Sequence, residues 1–381
     1  MSLKSRKVIV VSNITDHSGP TEGLAGFLQK NSAALLTIYH PFFYCRDRRS
    51  KARFFIKGKL MKEMLSPPLS LPEFVKYFVD FLFTLYYTIK FRNRFDLFIG
   101  VNCLHASLGV VYRGLGLVDE VVFYGIDWVP RRFENPFFNW LYFQIDRLAL
   151  KKADYVWSLS EEMVKVRERQ GVPVKKNMLV PNGVNFEEIK KVAKSKVKRQ
   201  TLVLLGALHE SKGVDLVIKT MPKIWQEFPR LRLIVIGSTP NVAGILPYEK
   251  IFRSLGKCVS VLGAVPHEKV LSILPELGIG LSPYSPEESS LSHYAWPARV
   301  IDYLACGLPV IITPVPAVAQ EIKKKKAGIL VNYNEKELVA AVKKLLTEDK
   351  FYFQARKNAV ALVKHLSWNN IFKKAFEQMN K

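Results

Sequence analysis

The residues best suited to chemistry in this chain include a lysine beside a glycine, at a turn between a strand and a helix. Lys212 and Gly213 follow the strand-like run TLVLLG and precede a helical pattern. Such a turn lets a phosphate approach the backbone while the ammonium group neutralises its charge. The loop is not a Walker motif, because GxxxxGK[ST] is absent. Taken alone, Lys212 is also compatible with an ordinary capping or surface lysine.

A second segment, HYAWPARVIDYLACGLPVIITP, predicts a short helix followed by a strand. Pro297 suits the first turn of that helix, and Gly307 ends it. Arg299 and Asp302 are three residues apart and share one helix face. A helix N-terminus with an arginine fork favours a bound anion, and the carboxylate one turn further can accept from ribose hydroxyls. The alternative is a surface pair worth about 0.3–0.5 kcal/mol.

In the N-terminal half, two polar side chains follow predicted strands. Asp127 stands just beyond the strand VVFYG, at the edge where open α/β sheets build their sites. A carboxylate there can take the proton of an acceptor hydroxyl, so Asp127 is the candidate general base; a turn or helix-capping role is the alternative. His105 follows another strand and is a possible cleft residue, although a lone histidine there is more often structural. His17 is similar.

The elements that position these residues are short apolar strands separated by helical segments. Two series of about six strands predict two doubly wound parallel α/β domains. The turn PNGVN places the boundary between residues 1–183 and 184–381, with a hinge near Asn182–Asn185. A last helix, about 367–380, is expected to pack back on the N-terminal domain. The twelve strands are expected at 8–11, 35–39, 96–100, 121–125, 155–159, 178–181, 201–206, 231–237, 259–263, 278–283, 309–313 and 328–331.

The amino-acid composition limits the classes of protein to which this chain can belong. The 381 residues carry 57 Lys plus Arg against 33 Asp plus Glu, a formal charge of +24. This surplus favours anionic partners and is spread over both halves. The four cysteines lie far apart, which excludes a disulfide scaffold or zinc ribbon and suits a reducing compartment. Without a signal peptide or membrane span, a cytoplasmic protein is expected, with peripheral attachment to the inner face of the plasma membrane as an option.

One region suggests a membrane-facing surface. Residues 46–62 hold eight basic residues and one acid, interleaved with apolar side chains. The next segment, FVKYFVDFLFTLYYTIK, predicts a helix with one thin polar stripe at Lys76, Asp80, Thr84 and Thr88. Burial inside the N-terminal domain is one interpretation. In the other, the basic segment and part of the helix rest on an anionic bilayer.

The order of motifs in the second half resembles a known family. GxLxxxKGVDxxI, LxxIVIG, VxxLGxV and PxRxxDYLACGLPVI follow one another there, and VPNGVN lies at the hinge. This order is similar to GT-B-fold glycosyltransferases, close to glycosyltransferase family 4 (group 1). The resemblance implies two Rossmann-like domains facing across a cleft, with a nucleotide-sugar site in the C-terminal one.

The resemblance also implies residue roles. Lys212 and Arg299 would bind the donor diphosphate, and Asp302 the ribose. Gly237 would let the nucleotide approach, and the loop at Val265 would receive the base. From the N-terminal half, Gly19 would approach the donor phosphates across the cleft; a flexible turn ahead of helix-packing glycines is the alternative.

The sequence departs from the family at two places. Ala207 stands where relatives often have an arginine, so phosphate neutralisation would depend on Lys212 and Arg299. Tyr294 stands where the first of two paired glutamates is usual, and Glu287 and Glu288 are out of register. The sugar and the stereochemical outcome therefore stay open. No DxD motif is present, which favours a metal-independent reaction without a cofactor.

These observations predict a glycosyltransferase that moves a sugar from a nucleotide-diphosphate sugar to a hydroxyl of a lipid-linked or envelope-glycan acceptor. A nucleotide-sugar epimerase of the same fold is one alternative. Another is a basic nucleic-acid-binding protein, although no recognised module is present and nucleic acid is not the expected partner. A dehydrogenase is disfavoured, because neither half opens with GxGxxG.

Overall fold

The structure is a computed structural model that describes residues 3–14, 19–42, 45, 47–69, 71–91, 94–239, 246–286, 291–294 and 296–380. Its contacts divide the chain into two compact units. The N-terminal unit contains Met1–Pro181 and Trp368–Lys381, and the C-terminal unit contains Asn182–Ser367. The division falls within the PNGVN turn, close to the expected position. The final helix returns to the N-terminal unit.

An eight-stranded sheet forms the centre of the N-terminal unit, in the order β4-β3-β2-β1-β5-β6-β7-β8. From β2 through β1 and β5 to β8, neighbouring strands pair in parallel, as continuous apolar runs buried on both faces favour. The strands are β1 (Lys7–Ile14), β2 (Ala34–Pro41), β3 (Lys51–Ile56), β4 (Lys59–Leu65), β5 (Phe95–Val101), β6 (Val118–Gly125), β7 (Tyr155–Ser158) and β8 (Asn177–Leu179). The helices are α1 (Pro20–Asn31), α2 (Glu73–Lys90), α3 (Cys103–Gly114), α4 (Pro136–Lys152) and α5 (Glu161–Arg169).

The antiparallel hairpin β3–β4 corrects the sequence analysis, which treated residues 46–62 only as a basic surface segment. Alternate side chains of β3 are buried, among them Ala52 and Phe54, and β3 pairs with β2 at the sheet edge. Lys57 (φ 47°) and Gly58 (φ 80°) form the turn between the two strands. Two consecutive positive φ values match the twist of an antiparallel hairpin. The interleaved basic and apolar residues therefore reflect strand alternation as well as surface charge.

Helices α2, α3 and α4 form one layer against the N-terminal sheet. Buried side chains of all three pack into a core cluster with Ile9 and Val11 of β1, which share one face of the sheet. Helix α1 packs instead against the last helix, which is Trp368–Met379. In that contact Phe27 lies 5.7 Å from Phe372 and 5.9 Å from Phe376, measured between ring centroids.

The C-terminal unit is built on a six-stranded parallel sheet in the order β11-β10-β9-β12-β13-β14. Numbered within the unit, this is the 3-2-1-4-5-6 order of a Rossmann-like sheet, which reverses direction between its first and fourth strands. The strands are β9 (Lys198–Leu205), β10 (Arg232–Ile236), β11 (Val259–Gly263), β12 (Leu277–Ser282), β13 (Val310–Ile312) and β14 (Gly328–Leu330). The helices are α6 (Val214–Glu227), α7 (Tyr248–Ser254), α8 (His267–Ile273), α9 (Ala298–Ala305), α10 (Val318–Lys324), α11 (Glu335–Thr347) and α12 (Asp349–Val363), with α13 (Trp368–Met379) in the other unit.

All twelve strands expected from the sequence are present, and the two Rossmann-like units confirm the expected α/β fold class. The short helix predicted after Pro297 is also present as α9. Its end follows the prediction, because Cys306 is the C-cap and Gly307 has φ 76°. Within the part of the chain that the structure describes, no helix has the length and apolarity to cross a membrane.

Candidate nucleotide-sugar site

The candidate site lies where the order of the C-terminal sheet reverses, beyond the ends of β9 and β12. Open α/β sheets bind ligands at this point, because the neighbouring connections leave in opposite directions. Gly206 follows β9 with φ 100° and Gly237 follows β10 with φ 143°. A Cβ on Gly237 would lie 1.9 Å from the carbonyl oxygen of Gly206. Gly237 is therefore required first of all for the contact between these two turns.

Lys212 lies in a one-turn 3-10 helix, Glu210–Lys212, that leads into α6. Gly213 caps α6 in the left-handed region at φ 73°. A Cβ there would lie 1.7 Å from the carbonyl oxygen of Pro283, so only glycine fits. This close approach fixes the lysine loop against the segment that follows β12.

Tyr284, in the segment after β12, contacts both cations of the site. The Lys212 Nζ lies 5.3 Å and the Arg299 Cζ 5.1 Å from the centroid of its ring. The ring is buried, so these cation–π contacts are made away from bulk water, where they are stronger. The structure thus brings Lys212 and Arg299, 87 residues apart in the sequence, to one aromatic ring.

Burial withdraws Arg299 from water almost completely and Lys212 in part. Arg299 is 9% exposed, and its buried Nη1 has no hydrogen-bond partner among the described residues. Lys212 donates to Ser292 Oγ at 2.9 Å. Burial, together with the nearby charge of Arg299, lowers the pKa of Lys212 to about 8. Two neighbouring positive charges held this way create a strong local preference for an anion.

Asp302 is 5% exposed and faces α8. The Nε2 of His267 lies 3.1 Å from both of its carboxylate oxygens. The interpretation of Arg299 and Asp302 as a surface pair is therefore wrong, because both side chains are buried and each has other neighbours. The helix that carries them is anchored by Tyr303, whose hydroxyl accepts from Leu205 N at 2.7 Å and donates to Val203 O at 3.0 Å.

Val265 lies in the short irregular connection between β11 and α8 and is half-buried. It precedes His267 by two residues, so the loop predicted to receive the base is joined to the partner of Asp302. The role of Val265 stays a prediction, as do the ligand roles of Lys212, Arg299, Asp302 and Gly237.

In the N-terminal unit, Asp127 lies two residues beyond the end of β6. Its Oδ2 accepts from Arg132 Nη1 at 2.9 Å, while its buried Oδ1 has no partner among the described residues. Burial acts to lower the pKa of Arg132, but the charge and hydrogen bond of Asp127, together with nearby Tyr142 and Cys103, outweigh it and the pKa is raised. One carboxylate oxygen of Asp127 is therefore bound by a cation, and the other has no hydrogen-bond partner among the described residues. The role of Asp127 as a base stays a prediction.

His105, the secondary candidate, is buried at the start of α3. Its Nε2 lies 2.9 Å from Asn13 Oδ1, and its ring stacks on His40 at 5.7 Å. Burial and the nearby charge of His40 lower the pKa of His105 to about 3. The side chain is thus neutral at physiological pH. These contacts favour the structural interpretation.

Gly19 is the N-cap of α1, and its amide donates to Glu22 Oε2 at 2.7 Å. A carboxylate of the protein thus engages the amide that the resemblance assigns to a donor phosphate. Gly23 serves packing, since a Cβ there would lie 2.4 Å from the ring of Trp368. The sequence candidates His17, Glu287 and Glu288 lie outside the described residues.

The sequence analysis missed three residues of this site: Tyr284, His267 and Ser292. Tyr284 and Ser292 contact Lys212, whereas His267 contacts Asp302. The only available signal was the position of Tyr284 just after a predicted strand, in the segment where α/β sheets place ligand contacts.

Comparison with known proteins reveals similarity in sequence and in fold. Residues 199–348 match the family model described as Glycosyl transferases group 1. Over 177 residues the chain is 27% identical to the phosphatidylinositol N-acetylglucosaminyltransferase GPI3 subunit of Saccharomyces cerevisiae, covering 44% of this chain and 37% of that protein. The chain thus matches well under half the length of this relative.

Two solved structures show the likeness of fold over nearly the whole chain. Sucrose-phosphate synthase from Thermosynechococcus elongatus superposes with a TM-score of 0.70 at 16% identity, covering 98% of this chain and 99% of that one. Anabaena HepE in complex with UDP-glucose also gives a TM-score of 0.70, at 11% identity and the same coverage.

The chain therefore has the GT-B fold, with two Rossmann-like units. More particularly, residues 199–348 are similar to the glycosyl transferases of group 1, and this matching segment contains Lys212, Arg299 and Asp302.

Proposed function

We propose that this chain transfers a sugar from a nucleotide-diphosphate sugar to a hydroxyl group of a lipid-linked or envelope-glycan acceptor, without a metal ion. The observation that carries the proposal is a pair of cations, half-buried Lys212 and buried Arg299, which both contact the Tyr284 ring. A diphosphate supplies the two negative charges that this pair lacks, and Arg299 Nη1, without a partner among the described residues, can donate to it.

The chemical problem in such a transfer is the leaving group. As the bond between the sugar and the diphosphate breaks, negative charge accumulates on the departing phosphate oxygens. Lys212 and Arg299 are already held by Tyr284, Ser292 and the packing of α9, so little reorganisation is needed when that charge develops. Cations positioned in advance in a site withdrawn from water stabilise a transition state more than flexible ones do. This arrangement supplies the neutralisation that a divalent ion provides elsewhere.

The nucleoside end of the donor is assigned to Asp302 and the loop at Val265. Asp302 can accept from two ribose hydroxyls while His267 holds its carboxylate in place. Because His267 begins α8 directly after the Val265 loop, ribose and base would be bound by adjacent parts of one segment.

Asp127 is proposed as the group that receives the acceptor proton. It follows a parallel strand at its carboxyl end, where open α/β sheets build their sites, and its buried Oδ1 has no hydrogen bond among the described residues. Arg132 holds the other oxygen and fixes the direction of the carboxylate.

A lipid-linked acceptor is supported by a relative rather than by geometry. The yeast protein is named as a subunit of a phosphatidylinositol N-acetylglucosaminyltransferase, so its name includes a phospholipid. The donor nucleotide is supported by the UDP-glucose complex of the structural neighbour. We extend both chemistries to this chain as proposals.

The test is ligand-induced thermal stabilisation with a panel of nucleoside diphosphates and their sugars. We expect at least one nucleotide to raise the melting temperature of the wild type, and Arg299→Met to weaken its binding by 30-fold or more. Arg356→Met is the matched control, because Arg356 also lies over a buried tyrosine, Tyr352, but donates to backbone carbonyls away from the site. If no nucleotide stabilises the wild type, or if the control loses as much affinity as Arg299→Met, the assignment fails.

Transfer itself is tested with the best donor and a lipid-linked acceptor. We expect Asp127→Asn to keep donor affinity within twofold while sugar transfer falls by 100-fold or more, because only the proton acceptor is removed. Full activity in this variant would refute the role of Asp127. Turnover of the donor without any acceptor would instead indicate the epimerase.

A further inference from the structure

Helix α2 buries its thin polar stripe beside core residues such as Tyr87, and it exposes a row of large apolar side chains on its other side. Its polar residues Lys76, Asp80, Thr84 and Thr88 are all buried. The exposed face carries the large apolar residues Val75, Phe78, Leu82, Tyr86 and Ile89, each between 46% and 62% exposed. Their spacing of three and four residues places them on one side of the helix. A helix packed on a soluble core normally shows the opposite distribution.

Hydrogen bonds fix this orientation. Lys76 Nζ donates to both carboxylate oxygens of Asp80, at 2.8 and 2.6 Å. The ring of His40, on β2, lies between Ser50 Oγ at 2.8 Å and Thr84 Oγ1 at 2.7 Å. Rotating α2 to bury its apolar face would leave these partners buried and unsatisfied, which is costly. The apolar face is therefore held outward by the protein itself.

Other large apolar side chains of the N-terminal unit are also exposed. On the hairpin β3–β4, Leu60 and Met61 are exposed. On α4, in the same helix layer, Phe137 and Trp140 are exposed as well. The row of five large apolar side chains on α2 is longer than the single apolar residues that a soluble protein exposes, and it indicates an interaction site.

Positive charge borders this surface. Lys57, Lys59 and Lys62 are exposed on the hairpin, and Lys90 ends α2. The nearby acids Asp47 and Glu63 are already paired, with Arg49 and Arg53. Apolar side chains flanked by exposed lysines are complementary to a bilayer with anionic headgroups. A second copy of the chain would instead bring the same cations against one another.

We propose that the α2 face, defined as the outward side of α2 together with the hairpin β3–β4, docks on the surface of a bilayer containing anionic phospholipids. The helix lies in the plane of the interface, with Phe78, Leu82 and Ile89 among the acyl chains and the lysines at the headgroups. This inference extends the second sequence-based interpretation of the segment, because it assigns the buried side of α2 to the polar stripe and the membrane-facing side to the exposed apolar residues. It holds whether or not the chain uses a nucleotide sugar.

The experiment is co-sedimentation of the full chain with phosphatidylcholine vesicles, with and without 30% phosphatidylglycerol, at low and high salt. We expect binding to the anionic vesicles that weakens at least fivefold in high salt. Phe78→Ser/Leu82→Ser should lower the partition coefficient tenfold or more. Leu262→Ser/Phe353→Ser is the matched control, because both residues are exposed and apolar but lie in the C-terminal unit, and it should change binding less than twofold.

The charge contribution has its own pair of variants. Lys59→Gln/Lys62→Gln should weaken binding to anionic vesicles and remove most of its salt dependence, whereas Lys323→Gln/Lys324→Gln on α10 should not. Should the first apolar variant unfold, Tyr86→Ser/Ile89→Ser tests the other end of the same face. The proposal is overturned if the wild type ignores anionic vesicles, if the apolar variants bind like the wild type, or if sedimentation without lipid shows a dimer that these variants dissociate.

Discussion

Charged side chains withdrawn from water have different partners in the two units. In the N-terminal unit, Arg167 and Asp146 are both almost fully buried and are joined by a 2.6 Å hydrogen bond. In the C-terminal unit, Lys212 and Arg299 share a tyrosine ring, and among the described residues the largest electrostatic influence on the pKa of Lys212 is Arg299, another cation. In the first pair the two charges neutralise each other within the protein. The second pair needs an anion to neutralise it. We therefore assign a structural role to Arg167 and Asp146 and a binding role to Lys212 and Arg299.

The largest expected effect comes from breaking the pair of Arg167 and Asp146. Arg167→Met leaves the Asp146 carboxylate buried without its partner, and burial already raises the pKa of Asp146. We expect the free energy of unfolding of the N-terminal unit to fall by about 3–5 kcal/mol at pH 7. Urea denaturation monitored at the N-terminal unit measures this. Arg167→Met/Asp146→Leu removes both charges and should restore most of the loss; if it does not, the pairing is not what stabilises this site.

Removing Lys212 from the pair of cations should instead increase the free energy of unfolding. Because the pKa of Lys212 is about 8 in the folded protein and near 10.5 when unfolded, the unfolded state binds more protons between these values. The penalty for charging Lys212 is fully present below pH 8 and disappears as the pH rises to 10.5, so the free energy of unfolding rises across that window. Lys212→Met should lack this rise and be more stable at pH 7, by on the order of 2 kcal/mol.

The same group should make nucleotide binding depend on pH. Above pH 8 in the free protein Lys212 loses its proton, so a diphosphate must bind with proton uptake and affinity should decline by about tenfold per pH unit at most. Calorimetry in buffers of different ionisation enthalpy detects the uptake. Lys344→Met is the control, since Lys344 lies over Phe351 on the surface of the same unit and should keep the wild-type profile. A wild-type affinity that is flat from pH 7 to 9.5 would contradict the assignment.

The smallest effect is expected at the nucleoside end. His267→Ala should leave Asp302 less well oriented and weaken nucleoside diphosphate binding by about 3–10-fold, corresponding to one hydrogen bond of about 1 kcal/mol. Binding of inorganic pyrophosphate, which has no ribose, should be unchanged. Equal loss for both ligands would show that His267 supports the site as a whole. Glu268→Ala, at the exposed neighbouring residue, serves as control.

The fold was largely predictable because parallel strands buried on both faces are continuous apolar runs. All twelve such runs form strands, whereas β3 and β4 were missed because this hairpin, which ends the sheet, carries lysines and arginines among its apolar residues. The period of α2 was also readable from sequence. Which of its faces is buried was not, because that depends on His40 and Ser50, more than 25 residues away from Thr84 and Asp80.

The candidate site divides in the same way. The sequence allowed three site residues to be predicted, because each occupies a motif at the end of a strand or the start of a helix: Lys212, Arg299 and Asp302. Tyr284 and His267 were not, because they reach those residues only through the reversal of strand order at β9 and β12. Local spacing identifies a side chain suited to bind phosphate, while the tertiary fold decides which aromatic or imidazole group supports it.

The return of α13 to the N-terminal unit has a consequence for synthesis. The ring of Trp368 fills the space over Gly23, and Phe372 and Phe376 cover Phe27, yet all three aromatic residues are translated after the whole of the C-terminal unit. On the ribosome, the second unit can finish folding while the first still exposes an apolar groove along α1. A chain that ended before Trp368 would therefore leave Gly23 and Phe27 without these aromatic partners.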